Sequence, residues 1–486
     1  MEMEGNLSGK QFLEGAPWHR LRSHLHGDLV MPSDAGYERA KQLELAQFDA
    51  TSPQAVAYCE TPADAATCLA FAQDHGLRLA ARSGGHSLGG HSTTPGLVID
   101  VSRLNAITVR PDTVTLGPGA QNVDVLGALS PRGLAVVGGG CPTVAAGGFL
   151  LGGGLGFLTP SLGMACDAMT SAQVVLADGQ VVTASAGSHP DLYWALRGGG
   201  GGNFGIVTSY TLTHAPLTTV HTAFLSFGHD DALDMVDGFA QWLADAPRTV
   251  GGSCFITLTD AAAGTTPTSM VSVVATGTVA EFETELGRLL SLTGVPASRT
   301  GGTMPYQDLM MTIYGGAELT VPQCHREGAT PEGRLPRAQL GLERSRLFGA
   351  PTTRDVWARA LAVFDAERVA GQLHQLQVGP AGGAVRDLGR TDTAYVHRDS
   401  LFTVNFLTWV HQGEVTEEAR AAGQRWVDAG FGAVDPYSNG ETHQNWIDPV
   451  LGDWEQSYYA ENHARLTQVK RTYDPGRLFR FAQGIR

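Results

Sequence analysis

The sequence predicts a globular fold of mixed helices and strands, organised in two substantial domains. The chain has 486 residues, of which 43% are hydrophobic and only 17% charged, and short β-rich segments alternate along it with helical ones. Typical domains of about 150 residues would give roughly three folding units, but large α/β enzymes often form two. The sequence contains no apolar run near the roughly 20 residues that span a bilayer.

Charge and cysteine content exclude several function classes. The 33 basic and 48 acidic side chains give a formal net charge of −15, which disfavours a nucleic-acid binder. The six cysteines include no CxxC pair, so we predict neither a disulfide framework nor a metal site. The first 20 residues lack the basic stretch and apolar core of a secretory signal, so we expect a cytoplasmic protein without membrane association.

Local patterns predict the individual elements. Residues 61–76 form a helix with a Thr-Pro-Ala-Asp start and a glycine stop, and a buried strand, LRLAAR, follows directly. A glycine loop then leads to a further strand at 97–101. Other predicted strands are 107–110, 113–116, 173–176, 180–183, 206–212, 222–227, 253–258, 269–275, 373–378 and 401–409. Other predicted helices are 230–245, 279–292 and 457–471, with a domain boundary near 215–216.

Glycine is concentrated in the first 205 residues. The chain has 62 glycines, about 13% against a usual value of about 7%. Consecutive glycines let the backbone approach a bulky ligand and direct N–H groups at an anion, so these runs predict a dinucleotide site. They lie at 84–85, 138–140, 147–148, 152–154 and 198–202.

Two of these loops contain a reactive side chain. His86 lies in Arg-Ser-Gly-Gly-His-Ser at 82–87, and Cys141 lies in GGGCPTVAAGGFLLGGGLG at 138–156. The second segment is not a Walker A loop and is not a nicotinamide-type GxGxxG turn. Taken singly, a histidine in a glycine turn is more often a surface residue, and a lone cysteine more often belongs to the core.

Taken together, the two loops resemble the berberine bridge enzyme-like family of the vanillyl-alcohol oxidase and p-cresol methylhydroxylase (PCMH) superfamily. GMACD at 163–167, RGGGGGNFGIV at 197–207 and the segment 459–485 extend the resemblance over nearly the whole chain. It implies an α+β fold: a two-part, PCMH-type FAD-binding domain with an inserted α+β substrate-binding domain. The expected ranges are 1–215 for the FAD-binding domain, 216–439 for the substrate-binding domain, and 440–486 for an element that returns to the first.

The resemblance further implies bicovalent FAD. His86 would bind the 8α-methyl carbon of the flavin and Cys141 ring carbon 6, since imidazole and thiolate are nucleophiles able to add to an electron-poor ring. Val144 occupies the family's oxygen-gating position, which favours an oxidase. The residues expected around FAD are Arg82, Ser83, Gly84, Gly85, Ser87, Val144, Gly147, Gly148, Gly153, Gly156, Asp167, Asn203, Gly205, Val207, Asn445 and Asn462.

The catalytic base is expected in the HQNWID segment that begins at His443, where relatives carry a tyrosine. Histidine has an intrinsic pKa of roughly 6.5 and can accept a proton at neutral pH. Tyr395 and His397 are the next candidates, and a structural or substrate-contacting role for His443 remains the alternative. Residues His374, Gln377, Asn405 and Phe406 are expected to line the substrate pocket.

The resulting functional hypothesis is an oxidase of secondary metabolism, such as antibiotic biosynthesis. It would remove hydride from a C–H beside oxygen or nitrogen of a bulky glycosylated or polycyclic natural product, with O2 reoxidising FAD to give H2O2. The alternatives are an oligosaccharide oxidase, a dehydrogenase with another acceptor, and a covalent flavoprotein that sequesters a drug-like ligand without turnover.

Overall fold

The structure is a computed structural model that describes residues 17–486, so most of the N-terminal segment used for the localisation prediction lies outside it. The strands, in chain order, are β1 (Leu29–Val30), β2 (Ala55–Tyr58), β3 (Leu79–Arg82), β4 (Leu97–Asp100), β5 (Ile107–Val109), β6 (Thr113–Leu116), β7 (Leu134–Ala135), β8 (Met169–Val175), β9 (Val181–Ser185), β10 (Ile206–Thr213), β11 (Ala215–Pro216), β12 (Thr219–Phe227), β13 (Val250–Leu258), β14 (Thr268–Ala275), β15 (Ser298–Pro305), β16 (Leu340–Phe348), β17 (Leu373–Pro380) and β18 (Phe402–Val410).

The α-helices connect and cover these strands. In chain order they are α1 (Trp18–His24), α2 (Tyr37–Ala40), α3 (Pro62–Asp74), α4 (Asn122–Leu129), α5 (Ala146–Leu151), α6 (Thr159–Leu162), α7 (Pro190–Ala195), α8 (Ala232–Asp245), α9 (Val279–Thr293), α10 (Tyr306–Ile313), α11 (Arg354–Ala362), α12 (Glu417–Val434), α13 (Trp454–Tyr459) and α14 (His463–Tyr473). Within residues 17–486, no helix combines the length and the apolar character needed to cross a membrane.

A four-stranded sheet begins the fold, in the order β1-β2-β4-β3. Its predicted helix is confirmed as α3: the Thr61 hydroxyl accepts the Asp64 N–H, and the Asp64 carboxylate accepts the Thr61 N–H in return. β3 and β4 run parallel. Their carboxyl ends therefore meet at one edge, where Arg82 forms an ion pair with Asp100. The glycine loop that follows Arg82 starts at this edge.

A five-stranded antiparallel sheet follows, in the order β5-β6-β10-β8-β9. The hairpin predicted over 173–183 is confirmed as β8 and β9. β11 pairs with β7 in a separate two-stranded sheet. The next strand, β12, belongs to the seven-stranded sheet described below. Helix α10 lies inside the range 216–439, yet its buried residues Leu309 and Met310 pack into the same apolar core as α4 and α5.

The third layer is a seven-stranded antiparallel sheet in the order β15-β12-β14-β13-β17-β18-β16. Helices α8, α9, α11 and α12 contribute to a second apolar core with its strands. Side chains alternate between the two faces of a strand, so one face packs on these helices and the other is free to form a pocket. β16, which forms one edge, carries the charged run Glu343 to Arg346, and this run hides its strand character in the sequence.

The C-terminal helix differs from its prediction. Residues 457–471 were expected to form one helix, but α13 ends at Tyr459 and α14 begins at His463, with Ala460 at a φ of 40° between them. The Asn462 side chain donates hydrogen bonds to the carbonyl oxygens of Arg390 and Thr393. These bonds attach the interruption between α13 and α14 to residues 390–393. A contact between segments so far apart in the chain cannot be predicted from the local sequence pattern.

The end of the chain is anchored by a buried ion pair. Lys470 and Asp474 are each 1% exposed, and the Nζ and Oδ2 atoms lie 2.8 Å apart. The ammonium also donates to the Asn203 carbonyl at 2.6 Å, and the Asp474 carboxylate accepts the N–H groups of Leu478 and Phe479. The pair therefore ties the last helix and turn to the glycine-rich segment near residue 203.

Replacing Asp474 with alanine is expected to lower the free energy of unfolding by about 3–5 kcal/mol, because the Lys470 ammonium is left buried without its counter-charge. Urea unfolding followed by tryptophan fluorescence measures the loss. Asp230→Ala, at an exposed carboxylate, serves as the control and should change stability little. A variant at Asp474 as stable as this control would contradict the anchoring role.

Candidate active site

A cavity of about 1070 Å³ lies between the glycine-rich loops and the free face of the seven-stranded sheet. Small-molecule pockets usually enclose about 300–1,000 Å³, so there is room for more than one small ligand. The predicted FAD-site residues that line it are Arg82, Ser83, Gly84, Gly85, His86, Ser87, Cys141, Val144, Gly147, Gly148, Gly156, Asn203, Gly205, Val207 and Asn445.

The end of β3 and the loop after it contribute two buried polar atoms without partners to this cavity. Arg82 is 4% exposed and is held by Asp100 and by the carbonyl oxygen of Ala40 at 2.6 Å, while its Nη1 has no partner in the described chain. Nε2 of His91, a second cavity residue, is likewise buried without a partner. Buried polar atoms without partners are costly, so both atoms indicate a site completed by a ligand.

The segment from Cys141 to Gly148 packs against this loop at a distance that excludes side chains. A Cβ at Gly147 would lie 2.7 Å from the Ser83 Oγ, and one at Gly84 would lie 2.9 Å from the Ala145 nitrogen. Asn122 fixes the same segment from behind, because its amide donates to the Cys141 carbonyl at 2.9 Å. Glycine is therefore required here for close backbone approach.

His86 and Cys141 are brought to the same cavity by this packing. The His86 Nε2 lies 2.9 Å from the Thr143 Oγ1 and 3.8 Å from a Glu44 carboxylate oxygen. Burial lowers the pKa of His86, opposed by the Glu44 charge, so the ring is neutral at pH 7. The carboxylate favours the proton on Nε2, which leaves the lone pair of Nδ1 available.

The Cys141 thiol is accessible from the cavity, whereas the other five cysteines of the described chain are buried. Enclosure by the surrounding protein raises the pKa of this thiol to about 11, and the nearby carboxylates of Glu44 and Glu343 add to the effect. The thiol is therefore protonated at neutral pH. Any bond from its sulfur to a ligand requires that this proton leave first.

The sheet side of the cavity differs from the predicted pocket wall in two of its four residues. Gln377 lines the cavity, and Asn405 lies opposite it in the strand register and on the same face. His374 stacks on Trp426 of α12 at 4.3 Å, and Phe406 packs on the same tryptophan. These two residues were expected in the pocket but face the helices, because they lie an odd number of positions from Gln377 and Asn405 on their strands.

Glu343 of β16 also lines the cavity, and its Oε1 accepts a hydrogen bond of 2.6 Å from the Asn405 Nδ2. Burial raises the pKa of Glu343 to about 7; the Asn405 hydrogen bond opposes this rise, and the Asp448 charge adds to it. The analysis of the sequence missed this residue because β16 itself was not predicted. The available signal was a carboxylate in a segment, LGLERSRLF at 340–348, that has apolar residues at both ends.

His443 lies in the cavity wall, 1% exposed, as a neutral ring. Burial, reinforced by the charge of His397, lowers the pKa of His443 to about 3. Its Nδ1 accepts the Asn445 backbone N–H at 3.0 Å, so the ring proton is on Nε2, which has no partner in the described chain. His443 thus presents a donor to the cavity, and the geometry argues against its expected role as the base.

Tyr395 and His397 lie behind His443 and do not line the cavity. The Tyr395 ring packs edge-on to both histidines, and its hydroxyl is buried without a partner in the described chain. His397 contacts the Glu441 carboxylate at 2.8 Å and the Gln444 side chain at 3.2 Å, so both ring nitrogens are engaged. Neither residue is placed to exchange a proton with a ligand in the cavity, which corrects their expected role.

Three residues expected around FAD have structural roles instead. Asp167 accepts two hydrogen bonds of 2.7 Å from Arg398, Gly153 lies under the Tyr395 ring, and Asn462 holds the break before α14. None of them lines the cavity. The contacts of these three residues are with neighbouring parts of the protein, which they hold in place around the cavity.

Charge divides the cavity into two ends. Arginines line the end formed by the strand β3 and the C-terminal segment, and Glu343 is the single carboxylate among the described lining residues. The arginines are Arg78, Arg82, Arg477, Arg480 and Arg486. An anionic group is favoured at the arginine end, and an uncharged ligand suits the sheet end.

Comparison with known proteins identifies the chain. The family described as FAD binding domain matches residues 53–185, and the family described as berberine and berberine like matches residues 443–486. The chain is 30% identical over 480 residues to the uncharacterized FAD-linked oxidoreductase YgaK of Bacillus subtilis (strain 168), covering 96% of this chain and 98% of that relative. It belongs to the berberine bridge enzyme-like family of FAD-linked oxidoreductases.

Other members and solved structures agree with this assignment. The FAD-linked oxidoreductase pynB of Aspergillus niger is 26% identical over 497 residues, covering 93% of this chain and 88% of that protein. The structures of BBE-like 1 from Physcomitrella patens and of a carbohydrate oxidase from Microdochium nivale share the fold, with TM-scores of 0.85 and 0.82. They are 21% and 24% identical to this chain, cover 96% and 97% of it, and are themselves covered to 98% and 99%. The predicted family, fold class and enzyme class are confirmed.

The residues present fit FAD. The arginine end, with the unpartnered Arg82 Nη1, suits the pyrophosphate of a dinucleotide, and the glycine loops leave space for a flat ring beside His86 and Cys141. As an FAD-linked oxidoreductase, this protein would hold the cofactor with its phosphates among the arginines and its ring toward the sheet.

His443 is expected to stay neutral from pH 5 to pH 9, because its pKa near 3 lies well below this range. Carbon-13 labelling of histidine Cε1 and NMR at increasing pH measures this, with the His443→Gln variant identifying the signal. The signal of the exposed His229 serves as the comparison. A His443 signal that moves with a midpoint near 6.5 would restore the ring as a candidate base.

Proposed function

We propose that this enzyme is a bicovalent flavin oxidase that oxidises a CH–OH or CH–NH group of a bulky, uncharged small molecule and passes the electrons to O2, forming H2O2. One observation carries the proposal: His86 and Cys141 lie on two loops that pack directly together, and both face one cavity large enough for FAD and a substrate. These are the two nucleophiles that an electron-poor flavin ring can accept.

When bound, FAD supplies a two-electron acceptor. The protein's own residues do the remaining work. Arg82 would hold the phosphates, and the Nδ1 of the neutral His86 ring would be the nucleophile for one tether. Cys141, once deprotonated, forms the second. Because two covalent bonds would hold the flavin ring, contacts from the sheet are not needed to fix it. The sheet side of the cavity is then open for a large substrate.

The sheet wall supports an uncharged substrate with both polar and apolar parts. Its lining side chains are Ser253, Gln377, Thr403, Leu407 and Trp409, with Trp446 beside them. Amide and hydroxyl groups would bind substrate hydroxyls, and the tryptophan rings would stack on a sugar or a polycyclic system. Among the described residues of this wall, Glu343 is the single charged group that could recognise an ionic substrate.

An oligosaccharide is the second candidate substrate class. Chitooligosaccharide oxidase, a solved structure with a TM-score of 0.83 and 22% identity, shares the fold over 96% of this chain and 99% of its own. The mixture of amides, hydroxyls and indole rings at the sheet wall is equally suited to a chain of sugars. A panel that contains chito-oligosaccharides, cello-oligosaccharides and glycosylated polycyclic phenols separates the two classes.

The attachment of FAD is tested with His86→Ala, Cys141→Ser and the double variant. Each single variant is expected to keep FAD through denaturation by one remaining bond, and the double variant should lose it. Intact mass after acid precipitation measures the bound cofactor, and Cys166→Ser, at a buried thiol, is the control. Loss of all covalent FAD in either single variant would show that only one bond forms.

Oxidase activity is tested by mixing the holoenzyme with the panel without oxygen. The flavin absorbance should bleach with a substrate, and admission of air should restore it while releasing one H2O2 per flavin. Val144→Ile is expected to slow reoxidation without changing the bleaching rate, because the larger side chain covers the cavity wall beside Cys141. Tight binding without bleaching across the panel would favour sequestration, and slow reoxidation of the wild type would favour a dehydrogenase.

A further inference from the structure

Glu343 is an unneutralised carboxylate in the active-site cavity. It is 9% exposed and is the single acidic residue among the described residues that line this cavity. Its neighbours Arg344 and Arg346 project from the other face of β16, where they pair with Asp428 and Asp435. The group that holds Glu343 is therefore the neutral amide of Asn405, not a cation.

Such an arrangement is unfavourable for stability alone. A buried carboxylate usually has a cationic partner, and one without it costs several kcal/mol or becomes protonated. The Asn405 amide offers one donor, at 2.6 Å from Oε1, and it fixes the direction of the carboxyl group within the cavity. The buried Oδ1 of the same amide has no partner in the described chain. The hydrogen bond from Asn405 thus orients the Glu343 carboxyl group and leaves its second oxygen, Oε2, free for a ligand.

We propose that Glu343 is the catalytic base of the oxidation, an inference that rests on the proposed function. Its carboxylate accepts the proton from the substrate hydroxyl or amine as that O–H or N–H bond breaks. On the carbon that bears this group, the C–H bond breaks as its hydrogen leaves with two electrons, for which bound FAD would be the acceptor, and a C=O or C=N bond forms. O2 would take up these two electrons and this hydrogen from the bound cofactor, and the proton held by Glu343 would supply the second hydrogen of H2O2.

The position of Glu343 fits this role. Its charge acts on the Cys141 thiol, so the carboxylate lies near the ring end of the cavity, away from the arginines that suit the phosphates. Gln377 and Ser253, which share this wall, are too weakly basic to take a proton. His443 presents an N–H donor, and Tyr395 and His397 do not reach the cavity. Of the side chains named in the sheet wall of the cavity, Glu343 alone is a proton acceptor near neutral pH.

The pH dependence follows from the state of this carboxyl group. Burial raises the pKa of Glu343 to about 7, and a base must be deprotonated to act. Flavin reduction should therefore be slow below pH 7, rise through a midpoint near pH 7, and level off above it. A charge that appears beside the ring over the same range should also shift the flavin absorbance spectrum, even when no substrate is present.

The first experiment needs no substrate. The absorbance of the holoenzyme is titrated from pH 5 to pH 9 in the wild type, in Glu343→Gln and in the exposed control Glu414→Gln. A transition with a midpoint near 7 is expected in the wild type and the control, and should be absent from Glu343→Gln. A transition of unchanged size and midpoint in Glu343→Gln would overturn the placement of this carboxyl group beside the ring. Glutamine preserves the size of the side chain, and covalent FAD content verifies that the variant folds.

The second experiment measures anaerobic flavin reduction with chito-oligosaccharides, cello-oligosaccharides and glycosylated polycyclic phenols. Glu343→Gln is expected to slow reduction by about 10²- to 10⁴-fold with little change in the concentration dependence, and to abolish the rise near pH 7. Glu343→Asp should recover part of the rate. Wild-type rates in Glu343→Gln would refute the base role alone, whereas a wild type that no probe reduces would refute the proposed function and the base role with it.

Asn405 is a positioning residue in this proposal. Its hydrogen bond lowers the pKa of the Glu343 carboxyl group against the effect of burial. Asn405→Ala is therefore expected to move the midpoint of the rate profile to higher pH while leaving the plateau rate within about tenfold, and Asn405→Gln should restore part of the shift. An unchanged midpoint in Asn405→Ala would show that the amide serves the fold alone.

Discussion

The close approach of two glycine-rich loops is the constraint on which the active site depends. His86 and Cys141 are 55 positions apart in the chain, and they reach one cavity because Gly147 packs under Ser83 without an intervening Cβ. A methyl group there would clash with the serine and force the loops apart. Glycine at positions 84 and 147 is thus a packing requirement of these two loops.

The distribution of charge then assigns each end of the cavity a task. The chain as a whole is acidic, with a formal net charge of −15, yet arginines line the end where a dinucleotide phosphate fits. The opposite end has neutral polar and aromatic side chains and one carboxylate. This asymmetry suits FAD with its phosphates among the arginines, and in the proposed function it leaves the sheet face, where Glu343 is the single acid among the described lining residues, to the substrate.

In the HQNWID segment, the surroundings of His443 decide whether its ring donates or accepts a proton. His443 lies against Tyr395, with His397 and the Glu441 carboxylate behind it. Burial and the nearby positive charge keep the His443 ring neutral, and the Asn445 N–H sets its tautomer. An imidazole in that state orients a ligand by donating a hydrogen bond. The proton-accepting task then falls to a carboxylate on the sheet, where the Asn405 amide and burial together bring its pKa near neutrality.

Features that depend on short segments could be predicted from the sequence alone. They are the capped helix α3, the hairpin β8–β9, most strands of the large sheet, and the glycine loops with His86 and Cys141. Motif resemblance extended this to the family, because those loops must pack closely wherever they occur. Tertiary structure decided what depends on strand register and burial. It turned His374 and Phe406 away from the pocket, and it brought Glu343 from an unpredicted strand into it. A shift of one residue along a strand reverses the face of a side chain, and the pKa of a group depends on neighbours distant in the chain, so neither property can be read from a local pattern.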